Sequence, residues 1–245
     1  MKCLILAAGQ GKRIKHITKK FPKCLIKINR EFLLQRQIRL LHRLNIKNIT
    51  VVKGFKAKKI NFKSVNYILN KNFKNNEQLD SLFCAKKELN QNILIIFSDI
   101  IFDFSILKKI FRSTLGDIVL AVDRDWKKRY KFRYDHPVGQ TDKVSIVNKL
   151  DIKNIGKKMN LDDANGEFLG ILKLTKKGCQ IFLKNYIKIK RKKKTNKMQI
   201  HDFLKYILKN SNKIKACFTR GKFMEIDTTN DYRIAKKIFN KKYII

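Results

Sequence analysis

The run Asn92–Phe97 (NILIIF) is almost continuously apolar, so it does not read as a strand with one face in water. A strand buried on both faces needs helices above and below it, and the flanking segments supply them. Lys2–Ala7 is a short apolar strand, Phe32–Leu44 has helical spacing, Asn48–Lys53 is β-branched, and Val65–Leu69 reads as a strand. Leu79–Leu89 returns to helical spacing, followed by a helix at Ile106–Phe111 and a strand at Asp117–Val122. This alternation predicts an α/β fold: a Rossmann-like, mostly parallel mixed sheet flanked by helices. The second half is less regular. Strands are expected at Lys143–Leu150, Phe168–Leu174 and Lys213–Phe218, and helices at Lys176–Ile189 and Ile200–Asn210. A last helix follows FMEIDTTND, with Asp227, Thr228 or Thr229 as its N-cap.

Charge is the feature that most invites a different reading. The 245 residues carry 58 Lys+Arg against 19 Asp+Glu, a formal net charge of +39. The cations are spread along the chain rather than clustered, and they accompany an excess of Ile and Asn, residues that share A/T-rich codons. Only Lys188–Lys197 (KIKRKKKTNK) is dense, and it reads as a solvated loop between two helices. The charge is therefore taken as compositional bias and argues against a nucleic-acid partner, although a basic surface attracts small anionic substrates. No apolar run approaches the roughly 18 residues of a membrane span. Gln10, Lys12 and Arg13 interrupt the first apolar stretch too early for a signal peptide. Five scattered cysteines without metal-ligand spacing suggest reduced thiols in a cytoplasmic protein.

The chemistry is expected where the first strand ends. In LILAAGQGKRIKHITKKFPK, Leu6, Ala7, Ala8, Gly9 and Gly11 form a small-residue turn at the carboxyl end of a strand. Such a turn can face backbone N–H groups toward a phosphate chain. The spelling excludes GxxxxGK[ST], because Arg13 follows Lys12, and it excludes GxGxxG, because position 14 is Ile. Arg13 offers a bidentate fork for phosphate oxygens, and Lys23, after Pro22, a point charge.

This spelling, LAAGxGxR with a downstream Pro-Lys, resembles the nucleoside-triphosphate transferase family, the sugar-phosphate nucleotidylyltransferases and their cytidylyltransferase relatives. The resemblance runs the length of the chain. It implies one nucleotidyltransferase domain over 1–245, with a nucleotide-binding half at 1–122 and an acceptor-binding half, with the second metal ligand, at 123–245. It implies that Asn76 and Ser81 contact the base, though an Asx turn and an N-cap would use the same residue types. It further implies that Asp99, in IIFSDIIFD, and Asp227, in FMEIDTTND, hold a Mg²⁺ ion. Strand alternation does not separate Asp227 from Glu225.

The middle segment, VDRDWKKRYKFRYDHP and then TDKV and GEFLG, resembles the phosphocholine and 2-aminoethylphosphonate cytidylyltransferase branch. That likeness implies CTP and a small phosphorylated or phosphonate acceptor as partners, and leaves a homo-oligomer open. Trp126 and Tyr130 would form a cation–π wall, with core packing as the alternative for Trp126. Asp123, Asp142 or Glu167 would balance an acceptor's positive charge, and Arg133 would hold its phosphate. The rival readings are a sugar-1-phosphate nucleotidylyltransferase and a basic nucleic-acid-binding module on a degenerate transferase fold.

Overall fold

The computed structural model describes residues 1–75, 77–191 and 198–240. Its strands in chain order are β1 (Lys2–Ala7), β2 (Lys27–Ile28), β3 (Glu31–Phe32), β4 (Ile49–Lys53), β5 (Asn66–Leu69), β6 (Ile93–Phe97) and β7 (Ile100–Phe102). They continue with β8 (Ile118–Asp123), β9 (Lys143–Val147), β10 (Asp151–Gly156), β11 (Gly166–Leu174), β12 (Lys215–Thr219) and β13 (Phe223–Glu225). The helices are α1 (Lys15–Thr18), α2 (Leu33–His42), α3 (Gln78–Cys84), α4 (Phe104–Arg112), α5 (Trp126–Tyr130), α6 (Lys176–Arg191), α7 (Ile200–Lys209) and α8 (Thr229–Ile238).

Nine strands form one sheet in the order β5-β4-β1-β6-β11-β8-β12-β10-β9, with a further pairing of β9 to β11. The strands β5, β4, β1 and β6 run parallel. The strand β11 is antiparallel to both β6 and β8, so β8 and its parallel neighbour β12 point the same way as β6. Mostly parallel order with a reversed strand near the centre is therefore the observed form of the mixed α/β sheet. Every residue of β6 and β8 is buried, as the unbroken apolar runs require. One apolar core follows the sheet, and a smaller one gathers Ile14, Leu33, Ile101, Met224 and Ile226 beneath the hairpin β2–β3.

Two connections carry the site. The strand β6 ends at Phe97, and Ser98 and Asp99 follow at the sheet's carboxyl edge. The strand β13 then pairs antiparallel with β7, Glu225 opposite Ile100, and the Ile226 N–H donates to the Asp99 carbonyl at 2.9 Å. Residues 128 positions apart in sequence, Asp99 and Asp227, are thereby brought to one rim.

The departures from sequence expectation have local causes. The strand β10 (DIKNIG) buries only Ile152 and Ile155, and a register shift between Ile152 and Asn154 breaks its alternation. The five-residue helix α5 is too short to show a period. The predicted helix Leu79–Leu89 is α3 followed by a separate 3₁₀ turn, Lys86–Glu88. The helix α6 reaches Arg191; positions 192–197 of the predicted basic loop lie outside the described residues. No helix among the described residues is long and apolar enough to cross a membrane.

Gly178 sits in the first turn of α6, where a Cβ would lie 2.1 Å from the Asp117 carbonyl oxygen. Alanine normally favours a helix interior over glycine by about 1 kcal/mol. Here the clash reverses that preference. Gly178→Ala should destabilise the fold by about 1–3 kcal/mol through overpacking, read as a lower urea midpoint with an unchanged slope.

Candidate active site

The loop after β1 turns through Gly9 and Gly11, and Gly11 adopts a φ of +65°, in the left-handed region that glycine enters freely. A Cβ at Gly11 would press on Lys23 and Thr18 at 3.3 Å, so the glycine also lets Lys23 pass close beneath the turn. Pro22, extended, feeds the short 3₁₀ turn Lys23–Leu25, which aims the Lys23 side chain inward.

The Lys23 ammonium lies between two carboxylates: Nζ is 2.8 Å from Asp99 Oδ2 and 2.5 Å from Asp227 Oδ1. Arg13 closes the outer side, with its guanidinium 2.5 Å from Asp227 Oδ2 and a bond of 3.0 Å to Gln140 Oε1. Burial alone would lower the pKa of Lys23, but Asp227, Asp99 and Glu225 outweigh it and hold the ammonium above its ordinary value. Burial would likewise raise the Asp227 carboxyl, yet Lys23 and Arg13 hold it down to about 2. Glu225 goes the other way. Burial first, then Asp227 and Asp99, push its carboxyl well above the ordinary value.

The segment carrying Asp227 is held from behind. Asp231, fully buried, accepts from the N–H groups of Asp227 (3.0 Å) and Thr228 (2.9 Å). Its other oxygen takes Arg133 Nε at 2.7 Å, and His136 Nδ1 stands 3.3 Å from the carboxylate. Arg133 also donates to the Glu225 carbonyl at 3.2 Å. Burial opposes the Asp231 charge, but His136 and Arg133 keep its carboxyl below the usual range. Thr228, not Asp227, caps α8 by accepting from Asp231 N at 3.1 Å, which leaves the Asp227 carboxylate free for Lys23 and Arg13.

Two adjoining cavities open on this cluster. The larger, about 250 Å³, is lined by Gly9, Gly11, Arg13, Lys23, Asp99 and Asp227. His136, Gln140, Asp142, Glu167, Phe168 and Glu225 line it as well. The smaller, about 110 Å³, lies against Leu6, Ala8, Gly9, Ser81 and Ser98. Ala7 is buried and lines neither. Ser81 accepts from Asn70 Nδ2 at 3.0 Å, and Asn76 lies outside the described residues.

The acceptor residues expected from the sequence divide sharply. Asp142 and Glu167 line the larger cavity; Asp123, Trp126, Tyr130 and Arg133 do not. Trp126 is 1% exposed and packs edge-on against Tyr130, so it is core rather than a cation–π wall. Tyr130 donates to Glu167 Oε1 at 2.6 Å, and Arg129 pairs with both Asp123 and Glu167. Arg133 is corrected from acceptor-phosphate ligand to a buried tie between Asp231 and the strand before Asp227. Sequence reasoning passed over His136, Gln140 and Asp231; the signals present were the His-Pro pair after the RYKFRYD run and an acid three residues past a capping threonine.

The donor set suits a hard divalent cation. Asp99 and Asp227 present carboxylate oxygens around a position already favourable to positive charge, and ligand atoms of His136, Glu225 and Asp227 lie within 4.8 Å of one another.

Residues 3–147 match the family model described as the MobA-like NTP transferase domain. That span exceeds half the chain: the protein belongs to the MobA-like NTP transferase family and is a nucleotidyltransferase. Members of this family generally use a divalent metal. Among similar proteins, the CTP:phosphoglutamine cytidylyltransferase of Campylobacter jejuni is 24% identical, covering 96% of this chain and 98% of its own length. The choline-phosphate cytidylyltransferase of Streptococcus pneumoniae is 29% identical over 47% of this chain and 50% of its own. The solved structure of CTP:phosphocholine cytidylyltransferase from Streptococcus pneumoniae has a TM-score of 0.75 at 21% identity, covering 97% of this chain and 98% of that one.

Removing the Lys23 charge while keeping its bulk tests the electrostatics. Lys23→Met leaves Asp227 and Glu225 buried without their cation and should destabilise the metal-free protein by roughly 3–5 kcal/mol. Asp227, depressed by Lys23, contributes stability above its ordinary pKa of about 4, and loses it as pH falls through about 2. Without Lys23 only Arg13 holds Asp227 down and most of that contribution is lost, so the deficit should shrink on acidification from pH 7 toward 3, measured by urea unfolding at each pH.

Proposed function

We propose that this nucleotidyltransferase is a Mg²⁺-dependent cytidylyltransferase. It would join CTP to a small phosphorylated or phosphonate acceptor, forming a CDP-activated headgroup or its CMP-phosphonate counterpart and releasing pyrophosphate. The observation that carries the reading is the convergence of Asp99, Asp227 and Lys23 under the Gly9–Gly11 turn, with Arg13 at its mouth. The CTP preference draws on the relatives named for CTP reactions, one of which matches along nearly the whole chain.

An acceptor phosphate oxygen is anionic at neutral pH and attacks the α-phosphorus without giving up a proton. The bond formed is acceptor oxygen to α-phosphorus, and the bond broken is α-phosphorus to the bridging oxygen, whose electrons leave with pyrophosphate. No general base is required, so the chain's contribution is alignment and charge neutralisation. The Gly9–Gly11 turn offers backbone N–H groups to the phosphates. Arg13 and Lys23 stabilise the charge that grows on the leaving pyrophosphate. Asp99 and Asp227, with Glu225 beside them, would hold the magnesium ion. When bound, the ion would supply Lewis-acid charge neutralisation to the phosphates. Leu6, Ala8 and Ser81, around the smaller cavity, would receive the nucleoside. A cytoplasmic location fits five cysteines that are all unpaired.

The test is pyrophosphate release with Mg²⁺, crossing the four ribonucleoside triphosphates with phosphocholine, phosphoethanolamine, 2-aminoethylphosphonate and sugar 1-phosphates. CTP with an aminophosphate or phosphocholine should be the productive pairing. Turnover with sugar 1-phosphates and UTP alone would replace this reading with a sugar-nucleotide synthase. Asp99→Asn and Asp227→Asn should each lower kcat by at least about 100-fold. Near-normal turnover in both would remove the metal assignment.

A further inference from the structure

The smaller cavity holds a hydrogen-bond arrangement that the chemistry at the metal cluster leaves unused. Ser81 lines this cavity from α3 and accepts from Asn70 Nδ2 at 3.0 Å. Asn70 itself is buried and lines neither cavity. Its N–H donates to the Lys53 carbonyl at 2.8 Å, continuing the β4–β5 ladder, and its Oδ1 accepts from the Asn72 N–H at 3.1 Å. The second of these bonds decides which way the amide faces. With the oxygen turned to Asn72, the NH₂ group is turned to Ser81.

A hydroxyl has one proton and two lone pairs, so accepting from Asn70 leaves the Ser81 proton to find another partner. Helical serines commonly give it to the carbonyl four residues back. Here the Ser81 hydroxyl donates to no group among the described residues, and the cavity is where its partner would stand. Glu77 lines the same cavity and makes no ion pair among the described residues. It lies four positions before Ser81, and its carbonyl accepts the Ser81 N–H at 3.2 Å, so both side chains share one face of the turn. The wall therefore offers a neutral donor and a carboxylate acceptor side by side.

The two pyrimidines of ribonucleotides differ at one edge. Cytosine presents N3 as an acceptor and its exocyclic N4 amine as a donor, whereas uracil presents N3–H as a donor and O4 as an acceptor. The Ser81 proton and the Glu77 carboxylate complement the first pattern and oppose the second. A donor that meets a donor, or a carboxylate that meets a carbonyl oxygen, leaves both groups desolvated and unpaired.

We propose that Asn70 is a positioning residue for base choice: it holds the Ser81 hydroxyl as a donor beside Glu77, and so makes the smaller cavity select an amino-pyrimidine edge over an oxo one. This rests on the cytidylyltransferase reading for the place of the nucleoside, and it assigns the selection to a residue that acts only through Ser81. The direction of one hydroxyl proton, set from behind the cavity wall, then decides between two bases of the same shape.

Calorimetric titration of the full chain with CTP and with UTP, in Mg²⁺ buffer and without acceptor, reads the base contact alone. Pyrophosphate release with the acceptors named above reads the reaction. CTP should bind at least about tenfold more tightly than UTP, since one unpaired buried polar group costs about that factor or more. Asn70→Leu frees the hydroxyl to turn and should lower the CTP-to-UTP ratio by about threefold or more. Asn70→Asp, whose carboxylate draws the hydroxyl proton away from the base, should lower it by about tenfold or more. Neither substitution should move the ratio further in the Ser81→Ala background. A merely structural role for Asn70 would weaken both nucleotides alike and leave the ratio in place. Circular dichroism confirms that each variant is folded. Equal binding of CTP and UTP, no binding of either, a ratio unmoved by both Asn70 substitutions, or the same shift with and without Ser81 would overturn the assignment, even if CTP releases pyrophosphate. A ratio that shifts as expected without pyrophosphate release under any pairing would keep the assignment and reject the reaction.

Discussion

The ammonium of Lys23 held between Asp99 and Asp227 is the interaction on which the rest of the site depends. Three carboxylates, Asp99, Glu225 and Asp227, converge where burial removes the screening of water, and like charges at that spacing repel. Lys23 makes their assembly tolerable in the absence of substrate, and Arg13 adds a second positive group from the solvent side. A fixed cation in this position also keeps Asp227 ionised, as ligation of a divalent ion requires. One buried lysine thus serves folding and preorganisation together.

The second determinant is the tie formed by Arg133, His136 and Asp231. It links the loop after α5 to the backbone at Asp227 and Glu225 through bonds that are almost wholly buried. Gln140, four residues beyond His136, bonds Arg13. The loop after α5 is therefore mechanically joined to the segment that carries Asp227 and to Arg13.

The elements that were legible in the sequence are those dictated by burial on two faces. β1, β6 and β8 read correctly because no polar residue interrupts them, and the Gly9–Gly11–Arg13 spelling with Lys23 marked the loop where the cavity lies. Asp99 stood out because it follows a buried strand at the sheet's carboxyl edge, whereas Asp227 was set apart from Glu225 only by the family resemblance, since its short strand β13 pairs with β7 outside the main sheet. The acceptor side was legible only in part. Nothing in the residue types of RYKFRYDHP distinguishes an arginine that meets a ligand from one that meets Asp231, because the partner is 98 positions away. Trp126 was ambiguous for a related reason: a large aromatic suits a ligand wall and a core equally, and only its burial separates them. Asp231 escaped attention because its capping role hides a long-range one.

The reversed strand β11 has a consequence for how such an enzyme changes over time. Because it runs against β6 and β8, its opening residues, Gly166 and Glu167, arrive at the rim where these antiparallel neighbours finish. The Gly9–Gly11 turn and the acidic pair follow β1, β6 and β13, whereas much of the remaining cavity lining comes from residues 136–170. Substitutions in that lining away from His136 and Gln140, which are tied to Asp231 and Arg13, can reshape the cavity without touching Asp99, Asp227 or Lys23. The topology draws the two sets of lining residues from different stretches of the chain.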